Sequence, residues 1–76
     1  MNKQRRGILL SILDRIEAIK ADLESTRDDE QEFFDNMPEN LRDSQKGQDA
    51  EDAIASMEEA LSSLDDAFAA IETAIG

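Results

Sequence analysis

Residues 47–74 read GQDAEDA, IASMEEA, LSSLDDA, FAAIETA, one seven-residue unit written four times. Every copy ends in alanine: Ala53, Ala60, Ala67, Ala74. The fifth and sixth places carry the acid pairs Glu51/Asp52, Glu58/Glu59 and Asp65/Asp66, then Glu72 with Thr73. The apolar places form a seam, Ala50, Ile54, Met57, Leu61, Leu64, Phe68, Ile71 and Ile75, at alternating steps of 4 and 3. That spacing keeps one stripe of a helix facing a neighbouring helix. It predicts a helix over about 44–75. Ser44 is the expected N-cap, its hydroxyl accepting from a first-turn N–H. Gly47 should weaken the first turn by roughly 1 kcal/mol relative to Ala.

The N-terminal half has its own seam: Leu9, Ile12, Ile16, Ile19, Leu23, Thr26, Glu30 and Phe33, at steps of 3 and 4. Neither Pro nor Gly falls between Ile8 and Phe34, so a helix is expected over about 3–34. Between the two lies DNMPENLRD, residues 35–43. Pro38 disfavours helix at Met37 and can open a new turn as its first helical residue. A short link between helices of similar length predicts an all-α, antiparallel, coiled-coil-like hairpin, one domain over 1–76, with arms roughly 45 Å long. Phe33, Phe34, Met37 and Leu41 are the candidates to plug the hinge end, or else to anchor a partner there.

The alanine column widens the apolar face of the second helix beyond one seam. Ile8, Leu10 and Leu13 do the same for the first helix. A single neighbour covers only part of this surface, so Ile8, Leu10, Leu13, Ala53, Ala60, Ala67 and Ala74 are the candidate oligomer interface. A two-fold dimer forming a four-helix bundle is its simplest product.

The chain of 76 residues has a net charge of −11 and contains no Cys, His, Trp or Tyr. Residues 1–20 hold five basic and two acidic side chains; residues 21–76 hold three and seventeen. Such a surface repels nucleic acid and anionic membrane and favours basic protein partners. No apolar run approaches the roughly 18 residues of a membrane span, and the expected location is cytoplasmic. Without Cys or His there is no obvious nucleophile or general base, and no triad or cleft of paired carboxylates is recognisable, so no enzyme is expected.

The acid pairs of the second helix, with Asp28 and Asp29 of the first, are the candidate partner-binding face. The bland alternative is a solvated face that keeps an oligomer soluble. A phosphate-backbone mimic would compete for a nucleic-acid-binding groove, although the pairs recur at roughly 10.5 Å and do not copy the spacing of one strand. No EF-hand order or Glu-x-x-His pair occurs, so neither metal nor cofactor is expected. Lys3, Arg5 and Arg6 crowd a helix start, where cations oppose the dipole. They could pair with Asp65, Asp66 or Glu72, or join Arg15 in holding an anion; an oligomeric sponge for an anionic nucleotide is the second function considered, and a purely structural assembly protein the third.

The opening MNKQRR (1–6), the segment RDDEQEFFDNMPENL (27–41) and the acidic Ala/Ile/Leu heptads together resemble small acidic helical proteins encoded by bacteriophages and prophages. The likeness covers nearly the whole chain, and its hinge segment is the most specific part. It implies a phage accessory protein working in the bacterial cytoplasm. By analogy, it implies one that binds and blocks a basic host or antiviral-defence protein.

Overall fold

Asn2 starts the first helix. Its Oδ1 accepts from the Arg5 N–H at 2.8 Å and satisfies one first-turn donor. The computed structural model, which describes residues 1–76, then runs through α1 (Lys3–Asp35), a short α2 (Glu39–Arg42) and α3 (Gln45–Ile75). Lys20 pairs with Asp65, and the Lys46 ammonium lies 5.5 Å from the centre of the Phe33 ring. Residue numbers therefore rise along α1 as they fall along α3, which makes the pair an antiparallel hairpin. It is a rod of 58 × 15 × 12 Å. Its radius of gyration is 17.3 Å, against about 11 Å for a compact chain of this length.

The hinge is tied by backbone and one arginine. Asn36 N–H donates to Glu32 and Met37 N–H to Phe34, at 3.0 and 3.1 Å, closing α1 before Pro38. Pro38 sits one place earlier than expected: it caps α2 rather than opening it, and its carbonyl accepts from Leu41 and Arg42. Arg42 donates to the Asp35 carbonyl at 2.7 Å and lies over Phe34, supplying a cation at the C-terminus of α1. Ser44 is the N-cap of α3 by position, but its hydroxyl does not accept from the first turn. It donates backward to the Leu41 carbonyl, which joins α2 to α3 instead.

Only six residues are buried: Leu13, Met37, Gly47, Ala50, Ile54 and Leu61. The α3 seam lies where the heptads put it, with Met57, Leu64, Phe68, Ile71 and Ile75 half-buried around Ile54 and Leu61. The α1 seam does not. Leu9, Ile16, Leu23 and Glu30 face α3 as expected, and Ile12 is half-buried beside the buried Leu13, but farther along α1 the alternating partners are Lys20, Arg27 and Phe34, not the exposed Ile19, Thr26 and Phe33. Ile19 is 52% exposed and Phe33 46%. The hinge accounts for the shift. Met37 is 7% exposed, and a seam that reaches Met37 must pass through Phe34 and Glu30. Counting back by 3 and 4 then gives Arg27, Lys20 and Leu13. Lys20 and Arg27 tolerate the seam because their aliphatic stems cover apolar surface while their heads reach water.

Gly47 also departs from expectation. A Cβ there would lie 2.5 Å from the Arg42 carbonyl carbon and 2.7 Å from its Cα, with the carbonyl oxygen closer still. The turn from α2 into α3 passes over this position, and no larger residue fits without moving backbone. The glycine that weakens the helix in isolation is what lets the hinge close.

Candidate interaction surface

Two apolar seams facing each other leave two flanks along the rod. With Leu13, Lys20, Arg27 and Phe34 taken as heptad position a in α1, and Ile54, Leu61, Phe68 and Ile75 as a in α3, the flanking positions are e and g. Reversing one helix mirrors its heptad, so in an antiparallel pair e lies beside e and g beside g. The Lys46–Phe33 contact joins two g positions.

The e flank is acidic. It carries Leu10, Glu17, Glu24 and Gln31 from α1, and Glu51, Glu58, Asp65 and Glu72 from α3, all exposed. Asp52, Glu59 and Asp66 continue the charge around the outside of α3, and Asp28 extends it on α1. Two cations reach this side from the seam: Arg27, bonded to Asp28, and Lys20, bonded to Asp65. The Lys20 pKa is held above the ordinary lysine value, first by that hydrogen bond, and also by the nearby charges of Asp65, Glu17 and Glu24, against a smaller opposing effect of burial.

The g flank has no charge at its eight central positions. It carries Ile12, Ile19, Thr26 and Phe33 beside Ala53, Ala60, Ala67 and Ala74. Thr26 donates its hydroxyl to the Asp22 carbonyl at 2.9 Å, so its donor is satisfied within α1. The adjoining c positions add Ile8, Ser56, Ser63 and Ala70, with Arg15, Asp22 and Asp29 at the α1 edge and Asp49 at the hinge end of α3.

The expected oligomer residues divide among three places. Leu13 is 7% exposed and belongs to the hairpin core, because the seam runs through it. Leu10 is exposed on the e flank among acids. Ile8, Ala60, Ala67 and Ala74 are exposed on the g side, and Ala53 is half-buried there. The hinge group divides as well: Met37 is buried and Phe34 half-buried under Arg42, whereas Phe33 and Leu41 are exposed. Asp28 lies toward the e flank and Asp29, about 100° around α1, toward the g flank, and Asp28 is engaged by Arg27 at 3.1 Å.

The basic start does not form the ion pairs considered for it. Arg6 donates to the Met1 carbonyl at 2.9 Å, Asp65 is taken by Lys20, and Lys3, Arg5 and Arg15 are exposed. The rod contains no cavity, and no three carboxylates converge as a cation site would need. No helix is long and apolar enough to cross a membrane. The division into an acidic and an uncharged flank was hidden from the sequence, because it depends on which α1 column faces α3. No protein-family model, curated protein or solved structure matches the chain.

Proposed function

We propose that this hairpin is a non-catalytic binding module that self-associates in pairs and engages a basic protein through its acidic e flank. The observation that carries the reading is the segregation of charge: six of the eight e-flank positions are acids, none of the eight g-flank positions is. A lone solubilising role does not require such one-sidedness, whereas a directed field steers a basic partner onto one face. The resemblance to phage-encoded proteins points to a host or defence protein as that partner, in the bacterial cytoplasm. A nucleic-acid-binding groove is the sharpest form of target, matched by the acid field rather than by strand spacing.

The test is capture from bacterial lysate by the wild-type chain and by the variant E51Q/E58Q/D65N/E72Q. Retention of basic proteins by the wild type, lost in high salt and lost in the variant, supports the proposal. Identical capture by both chains refutes it.

A further inference from the structure

The g flank is an apolar face with a specific shape. Exposed Ile8, Ile19 and Phe33, with half-buried Ile12 and with Thr26 between, form a ridge on α1; Ala53, Ala60, Ala67 and Ala74 form a groove of small side chains on α3 beside it. Ridge and groove belong to the same chain and run side by side for the length of the rod.

We propose that this face closes on a second copy, with the α1 ridge of each hairpin in the alanine groove of the other. The proposal rests on the self-associating reading above and adds the face, the symmetry and the arrangement of the copies. Ridge-on-groove pairing on both sides requires the two-fold axis to run along the rod. A perpendicular axis would set ridge against ridge and groove against groove. Along-axis symmetry brings both hinges to one end and makes every neighbouring helix pair antiparallel.

The elongated shape leaves surface enough for a partner of this size. The hairpin exposes 5425 Å², whereas a folded monomer of 8.5 kDa exposes about 4,700 Å². The excess matches the roughly 800 Å² that each partner loses in a standard interface. A broad side of the rod, 58 by 15 Å, is large enough to lose it. Charge selects the side. With 19 acidic side chains per chain, two copies can approach closely only through the flank whose g positions carry none of them, with Asp22, Asp29 and Asp49 kept to its edges. Pairing on g leaves the two e flanks on opposite outer surfaces, separated by two helix layers of about 10 Å each, well beyond the Debye length of about 8 Å.

Three measurements decide the matter. Sedimentation equilibrium should give a dimer for the wild type. Ala60→Glu and Ala67→Glu, which force a carboxylate into the groove, should raise the dimer dissociation constant at least about 100-fold. Ala69→Glu, the same change on the acidic side of α3, should leave the dimer intact. Ile19→Lys, which alters only the ridge, should match the groove variants; far-UV circular dichroism checks that each chain stays helical. The chain has no cysteine, so a spin label on Asn40→Cys reports the hinge alone. Its partner label should lie far closer than the 58 Å rod length. A wild type that remains monomeric overturns both this proposal and the self-association reading. A dimer disrupted by Ala69→Glu but not by Ala60→Glu or Ala67→Glu overturns the face alone. Labels a rod length apart overturn the symmetry.

Discussion

Replacing Gly47 by alanine sets two physical effects against each other, and the structure decides the sign. Helix propensity alone favours the alanine by about 1 kcal/mol. The added Cβ, however, would stand 2.5 Å from the Arg42 carbonyl carbon, and ordinary contact begins near 3.4 Å. The carbonyl oxygen is closer still, so backbone must move by more than about an ångström, and the moving part is α2. That turn is held by the buried Met37 at its start, by the Arg42 bond to the Asp35 carbonyl, and by the Ser44 bond to Leu41. Overpacking of this kind costs about 1–3 kcal/mol, and losing one hydrogen bond adds about 1. The net is a destabilisation of about 2 kcal/mol, or a fall in Tm of about 8–16 °C for a domain of this size. Gly7→Ala is the control. Gly7 lies within α1 with nothing within 4 Å of its absent Cβ, so alanine there should stabilise by about 0.5–1 kcal/mol. Thermal melts of the three chains by far-UV circular dichroism, at one protein concentration, give the comparison. A Gly47→Ala chain that melts at or above the wild type while Gly7→Ala behaves as expected would refute the steric account of the hinge.

Other perturbations test the register and the caps. Phe34→Ala should destabilise the hairpin by about 2–3 kcal/mol in denaturant titration, whereas Phe33→Ala, one residue away, should change the stability of the isolated hairpin little; equal losses would contradict the seam. Asn2→Ala should cost about 1 kcal/mol through the lost cap of α1, read as faster amide exchange in its first turns. Because the Lys20 pKa is raised by folding, its contact with Asp65 is fully present below the ordinary lysine value of 10.5 and is lost as pH rises through the higher folded value. Alkaline melts of the wild type should therefore decline above that point more steeply than those of Lys20→Gln. Lys20→Leu should raise the Tm, since it completes an apolar seam, while loosening the choice of register that a polar seam residue enforces.

The two halves of the chain differ in how openly they state their packing. In α3 every a and d position is apolar, and the acids and alanines fall cleanly outside them, so the seam could be read directly. In α1 two candidate columns compete. Ile12, Ile19 and Phe33 make the more apolar column, yet the folded hairpin uses Leu13, Lys20, Arg27 and Phe34. The deciding residue is Met37, which lies beyond the helix and takes effect only when the hinge closes. The steric role of Gly47 was hidden for a related reason: its constraint comes from Arg42, five residues earlier, in a turn whose path periodicity does not describe. Consequently the helix limits were legible to within a residue or so, but the side of α1 left for other contacts was not.

The partition of the rod into one charged and one uncharged flank bears on valence. If the uncharged flanks are consumed in pairing, each assembly offers two equivalent charged surfaces facing away from each other, related by the same axis. A target with a single basic groove would then be taken up two per assembly, without competition between the sites. A target that is itself two-fold, or arrayed along a polymer, would be bridged, and the second engagement would occur at an effective concentration set by rigid geometry rather than by a flexible tether. Inhibition curves against such a target would be steeper than the affinity of one flank predicts. Abolishing pairing would then weaken the hold on a repeating target far more than on a solitary one.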